Sequence, residues 1–277
     1  MQIQQSIVGR GKSMVRQIVV YTSISGDYDF LKDPEYITEN CDYVCFTDNP
    51  KLKSKVWMIK PFPEFALTLD KVRRCRYVKI MPHILFPNYQ YSVWVDGSID
   101  IIGNVNELLE KYFLKANHVL VTFKHPLRDC IYVEAETCKK LLKDDIDIID
   151  KQIDRYKKFG LPEHVGLIES NVMLRKHNNQ SVIELMEAWW YEVNNFSKRD
   201  QLSFNFVAWR YKFSYSTLDG NSRDGSYCYF KVRTHKQRGF RKVWQFIKIH
   251  KDTNMFANII YIILNPIYKY IKKILYV

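Results

Sequence analysis

The chain has 277 residues, 47% hydrophobic and 15% aromatic, which suits one sizeable buried core with a small appendage and excludes a disordered or low-complexity protein. Its formal charge of +12 is lopsided: Lys231–Val277 carries eleven Lys/Arg against one acidic residue, Asp252, leaving only +2 for the first 230 residues. A near-neutral body with a basic, apolar tail argues against a nucleic-acid groove and for an anionic membrane surface.

Residues 1–16 read as a polar N-terminal extension without the apolar core of a secretory signal. Gln17–Thr22 (QIVVYT) and Tyr43–Thr47 (YVCFT) read as buried strands, each running into polar residues: Ser23-Ile24-Ser25-Gly26-Asp27 and Asp48-Asn49-Pro50. Trp57–Ile59 is a third short strand. One helix is expected from Leu67 to about Leu85, with Val72, Cys75, Val78 and Met81 recurring every three residues and Lys71, Arg73, Arg74, Arg76 and Lys79 on its other faces. Tyr91–Val95 follows as an apolar strand ending in Asp96-Gly97-Ser98-Ile99-Asp100. Beyond it are expected a helix at Val105–Phe113, a strand at His118–Phe123, two helices within Ile131–Lys158, and a strand at Val165–Leu174. Helices at Gln180–Phe196 and Asp200–Arg210 complete the body.

Strands alternating with helices point to an α/β fold with a central sheet. The body spans 17–250 and the basic amphipathic tail 251–277. Within the tail, Met255–Leu264 reaches Asn265-Pro266 too soon to cross a bilayer. After Pro266, Ile267, Ile271, Ile274 and Leu275 share one face while Lys269, Lys272 and Lys273 point elsewhere, as in a helix lying in a membrane interface; the alternative is an amphipathic terminus packed on the protein's own body. The six scattered cysteines show no zinc spacing and suit a reduced cytoplasmic protein, here peripheral to the inner face of the membrane.

Ligands of open α/β sheets bind beyond the carboxyl ends of the strands. Thr22, Ser25, Asp48 and Asp96 are therefore expected to line one crevice, Asp48 accepting from a base or ribose and Asp96 holding a divalent cation, Mg²⁺ or Mn²⁺. A cation there favours a diphosphate ligand, with Arg76 and Lys79 adding positive charge. His125 and Arg128, with Glu134 shortly after, follow a strand end and are candidates for gripping sugar hydroxyls or carboxylates. The alternative for them is a network at a helix start in which Arg128 and Asp129 simply pair. Trp189 and Trp190 lie on an apolar helix face and read as core.

Several segments resemble the TOD1/MUCI70 glycosyltransferase-like family (domain of unknown function 616), and more distantly GT-A glycosyltransferases of the galactosyltransferase and glycogenin type. They are Val20–Ser23, Phe46–Asp48, Cys75–His83, Leu85–Pro87, Tyr91–Ser98, Lys124–Arg128 and Asp200–Asn205, within about Gln17–Arg210. The resemblance implies a GT-A-like, mainly parallel sheet flanked by helices. It also implies a nucleotide-sugar transferase with Asp96 at the first position of a metal-binding Asp-x-Asp. Ser98 stands where the second Asp is expected, a poorer ligand, and His235 is the candidate for a C-terminal metal-binding His. Glu169 is implied to lie beside the donor sugar, with Asp200 and Gln201 opening a catalytic or sugar-positioning segment. The reaction implied is transfer from a nucleotide-diphosphate sugar, such as a UDP-sugar, to a glycan or lipid-linked acceptor in surface polysaccharide or glycoconjugate assembly, with a lean towards retention. A metal-dependent hydrolase of a lipid or glycan, and a glycan-binding protein without catalysis, are the alternatives.

Overall fold

In the computed structural model, residues 17–26, 29–224, 227–233, 247 and 254–275 are described, the side chains of the last stretch as far as Ile267. The apolar, β-branched runs build seven strands in one sheet: β1 (Ile18–Ile24), β2 (Cys41–Thr47), β3 (Met58–Lys60), β4 (Tyr91–Val95), β6 (Leu120–Lys124), β7 (Ile168–Arg175) and β8 (Ser216–Thr217). The spatial order is β3-β2-β1-β4-β7-β6-β8. β1, β2, β3 and β4 pair in parallel, and β7 runs antiparallel to its neighbours β4 and β6. A two-stranded ribbon of β5 (Ile99–Ile101) and β9 (Phe230–Val232) stands beside this sheet. The expected mixed, mainly parallel α/β architecture is what the chain adopts.

Alternation along the strands sorts side chains to two faces. Val19, Tyr21, Trp94 and Met173 face one apolar layer, packed by α1 (Lys71–Ile80), α4 (Ile131–Lys140), α5 (Ile146–Lys158), α6 (Gln180–Asn195) and α7 (Phe204–Arg210). Val20, Val93, Val95 and Val172 face the other, beneath α3 (Val105–Leu109) and Phe230. Every residue of β4 is buried, as its apolar run requires. Trp189 is fully buried and is core, as read.

The single helix expected at Leu67–Leu85 is divided. A 3₁₀ turn covers Glu64–Thr68, α1 starts at Lys71, and the short α2 is Pro82–Leu85. Asp70 caps α1, its carboxylate accepting from the Val72 and Arg73 N–H groups at 2.9 and 3.1 Å. Pro82 lacks an N–H and closes the helix before it. Asp200–Arg210 likewise splits into a 3₁₀ turn, Asp200–Leu202, and α7.

The tail departs from expectation in the opposite sense. The helix α8 (Met255–Leu275) runs through Pro266 without ending there, since a proline removes one backbone donor while the turns on either side keep theirs. No described helix is long and apolar enough to cross a membrane.

Candidate functional site

Strand order turns at β1 and β4: the chain builds outward to β2 and β3, then returns to place β4 on the other side of β1. The crevice beyond those two strand ends is the expected ligand position in such a sheet. Three polar groups meet along this edge.

The first lies at the ends of β1 and β2. The Asp48 carboxylate accepts from Ser25 Oγ at 2.6 Å, the Gly26 N–H at 2.6 Å and Arg74 Nη1 at 2.9 Å. Gly26 has φ +62°, which turns its N–H onto the carboxylate. Partial burial alone would raise the Asp48 pKa, but these donors outweigh it and hold the group below its ordinary value. Thr22 alternates with Tyr21 and so points to the Val20 face, where its hydroxyl is buried without a partner among the described residues.

The second group surrounds Asp200, which is 1% exposed. Lys79 Nζ lies 2.6 Å from its Oδ2, Ser170 Oγ donates to the same oxygen at 2.9 Å, and Arg76 Nε stands 3.1 Å from Oδ1. Burial would raise the Asp200 pKa, but Arg76, Lys79 and Arg199 overcome it and keep the carboxyl well below the usual range. Burial pulls the Lys79 ammonium below its ordinary value, against Asp200 and Asp96. Lys79 sits at the carboxyl end of α1, whose carbonyl there accepts from the Tyr21 hydroxyl at 2.9 Å and from Arg175 Nη1 at 2.8 Å. Its ammonium is 3.6 Å from Asp96 Oδ1, which also accepts from the Trp94 indole N–H at 2.8 Å. Asp96 is anchored by its own N–H to Asn171 O at 2.8 Å. Its side chain is 31% exposed against 2% for Asp200, so Asp96 is the carboxylate of this pair open to a ligand.

The third group stands on β7 and the loop after β6. Arg223 Nε donates to Glu169 Oε1 at 2.9 Å, reinforced by Nη2, while Glu169 Oε2 is buried without a partner among the described residues. Ser222 Oγ accepts from Asn171 Nδ2 at 3.0 Å. His125 Nδ1 accepts from the Leu127 and Arg128 N–H groups at 3.2 and 3.0 Å, and Arg128 Nε donates to Glu134 Oε2 at 2.6 Å. Burial first, then Arg128, lowers the His125 pKa against Glu134 and Glu169. These three residues bond to one another at the start of α4, whereas Asp129, the partner expected for Arg128 in a helix-start network, lies 2.8 Å from His164 Nδ1 instead. Gln201 also bonds locally, donating to Ile168 O at 3.1 Å and accepting from Arg199 at 3.2 Å.

The sequence profile of the TOD1/MUCI70 glycosyltransferase-like domain matches residues 10–219, most of the chain. The chain belongs to the TOD1/MUCI70 glycosyltransferase-like family. Two Arabidopsis thaliana relatives are similar to it: "Probable hexosyltransferase MUCI70", 30% identical over 219 residues, and "Alkaline ceramidase TOD1", 28% identical over 222 residues. Each match covers 69% of this chain but only 37% and 48% of the respective relative. Among solved structures, core-mannan synthase A from Aspergillus fumigatus, in a Mn/GDP form, aligns at a TM-score of 0.42 and 12% identity, covering 72% of this chain and 71% of that one.

For this family member, the fit of a divalent cation turns on Asp96. Mg²⁺ is commonly held by one or two carboxylates together with substrate phosphates, and the partly open Asp96 carboxylate, with one oxygen oriented by Trp94, meets that requirement. Ser98 is 7% exposed beside it. Asp100 does not complete a chelate: Arg233 Nε lies 2.6 Å from its Oδ1 and Lys32 Nζ 2.9 Å from its Oδ2. Among the described residues, no three His, Cys, Asp or Glu side chains cluster in a metal-binding arrangement. His235 lies outside the described residues.

Sequence reasoning missed Arg223, Arg74, Ser170, Asn171 and the Arg233–Asp100 pair. Arg223 gave no signal, sitting in a polar turn 54 residues from its partner Glu169. Arg74 was visible as one of several basic residues on the helix, indistinguishable there from its neighbours.

Proposed function

We propose that this protein is a glycosyltransferase that moves a sugar from a nucleotide-diphosphate donor, such as a UDP-sugar, to a glycan or lipid-linked acceptor in surface polysaccharide or glycoconjugate assembly. The observation that carries the reading is the placement of Asp96, an accessible carboxylate at the carboxyl end of β4 where the strand order turns, in a chain of this family. A divalent cation held by Asp96, with Ser98 and the donor's own phosphates, would offset charge on the leaving diphosphate.

The protein's own groups divide the remaining work. Asp48, fixed by Arg74 and Gly26, accepts from the donor's nucleoside hydroxyls. Glu169 is assigned beside the transferred sugar; its carboxylate is buried behind the exposed Arg223 side chain, so it would meet a sugar hydroxyl and, with Asp96, stabilise positive charge developing on that sugar once Arg223 swings aside. Lys79, Arg76 and Asp200 act as positioning residues, because Asp200 and Lys79 are shut away from a ligand. Their network holds Asp96 and the Ser170 segment of β7 in register. The lean towards retention of configuration belongs to this same proposal.

A screen of nucleotide-sugars by thermal shift, followed by calorimetric titration of UDP with Mn²⁺, tests the reading. Saturating donor at a hundredfold its Kd is expected to add about 2.7 kcal/mol of stability. No nucleotide binding, together with hydrolysis of a lipid amide, would overturn it in favour of the hydrolase reading raised by the ceramidase name of one relative.

The tail enters as a second part of the proposal, a peripheral attachment to the cytoplasmic face of an anionic membrane. It is supported by Met255, Phe256, Ile259, Ile262 and Ile263 of α8, each at least 47% exposed, and by the basic residues around the helix. Removing 251–277 is expected to abolish flotation with anionic vesicles while leaving UDP binding intact. Early melting of the truncated protein would instead assign the helix to the core.

A further inference from the structure

A cleft of about 620 Å³ opens between the end of α5, the segment that leads into β7, and α7 with the loop after it. Phe159, Trp209, Phe213 and Tyr215 give it aromatic walls, Arg210 and Lys212 supply its charge, and no acidic side chain lines it. The Arg210 guanidinium lies 4.3 Å from the centroid of the Phe159 ring, and Phe159 is 45% exposed. This volume is in the range of small-ligand sites. No residue of the cleft was a site candidate on sequence grounds.

One buried side chain ties the wall of the cleft to the start of β7. Asn205, 2% exposed, accepts from the Ile168 N–H at 3.1 Å and donates to the Tyr215 hydroxyl at 2.7 Å. Ile168 immediately precedes Glu169 on β7. Gly166, at φ +93°, lets this pair pack closely: a Cβ there would stand 3.3 Å from Asn205 Nδ2 and 3.4 Å from the Tyr215 hydroxyl.

We propose that this cleft seats the acceptor, a glycan segment bearing acid groups, either carboxylates or phosphates. The proposal rests on the glycosyltransferase reading above. Aromatic rings present flat apolar faces to the C–H faces of sugars, while an Arg and a Lys without an acidic neighbour select an anionic chain over a neutral one. The cleft and Ile168 lie on the helix-covered face and Glu169, paired across the sheet with Phe123, points to the other, so a chain seated in the cleft would reach the donor sugar around the end of the sheet.

Calorimetry on the full chain tests this with three probes of equal length: an oligouronide, a polyol-phosphate oligomer and a neutral oligosaccharide. At least one acidic probe is expected to bind tenfold or more tightly than the neutral one, and the tighter of the two identifies carboxylate or phosphate. Arg210→Gln with Lys212→Gln is expected to weaken acidic binding at least tenfold, as is Trp209→Ala, with melting temperatures confirming that each variant is folded. Equal affinity for acidic and neutral probes, acidic binding that survives these variants, or no binding of any probe overturns the proposal. Parallel titration of UDP separates the two readings. UDP binding without acidic-glycan binding rejects the cleft assignment alone, whereas acidic-glycan binding without UDP binding rejects the donor reading and leaves the cleft in place.

Discussion

Replacing Lys79 with methionine would leave the buried Asp200 carboxylate with one strong partner fewer. Breaking a buried ion pair from one side typically costs 3–5 kcal/mol; because Arg76 stays beside Asp200, Lys79→Met is expected to cost about 3 kcal/mol in denaturant unfolding. Combined with Asp200→Asn, the two losses should fall short of their sum by more than about 1 kcal/mol, and simple additivity would show that the pair is not coupled. His177 supplies a pH signal away from the site. It is fully buried, its Nε2 lies 2.9 Å from Phe86 O, and burial, opposed only in part by that contact, lowers its pKa from 6.5 to about 4. Between those values the unfolded chain binds more protons, so stability is fully present above about pH 6.5 and is lost as pH falls towards 4, by about 3 kcal/mol. A His177→Gln variant should lose that slope in urea titrations across pH 4 to 7.

Among the elements, α1 carries the most consequence per residue, because Arg74, Arg76 and Lys79 all project from it into the site groups. Its start depends on Asp70, so Asp70→Ala is expected to cost about 1 kcal/mol and to lower the melting temperature by about 2–4 °C; a shift under half a degree would show that packing alone sets the helix start. The same helix marks where sequence reading succeeds and stops. The strands were legible because β-branched runs such as Ile18–Ile24 and Tyr91–Val95 are fully buried, and burial of both faces leaves a continuous apolar signature. The polar strand ends at Ser25, Asp48 and Asp96 were legible because they interrupt those runs. The Asp70 cap was misread as helix interior, since the apolar spacing continued across it. Lys79 was singled out, yet its burial was invisible: the partner that makes it tolerable, Asp200, lies 121 residues away, and periodicity reports only neighbours along the chain. Asp100 remained ambiguous for the same reason, its partners Lys32 and Arg233 arriving from opposite ends of the sequence.

At the scale of the whole molecule, one edge of the sheet gathers the acidic groups Asp48, Asp96, Glu169 and Asp200 and neutralises most of them internally through Arg74, Lys79, Arg76 and Arg223. Asp96 is the member left most open, which concentrates the functional claim on one carboxylate. The buried network behind it should hold the fold when that carboxylate is changed, so loss of activity can be separated from loss of structure. The decisive measurement is nucleoside diphosphate release from the productive nucleotide-sugar by the native chain and by Asp96→Asn. Turnover by the native protein is expected, together with a fall of about 100-fold or more in kcat for the variant at a melting temperature within a few degrees of the native value. Undiminished turnover in a folded Asp96→Asn protein would contradict the assignment of the active site to the carboxyl end of β4.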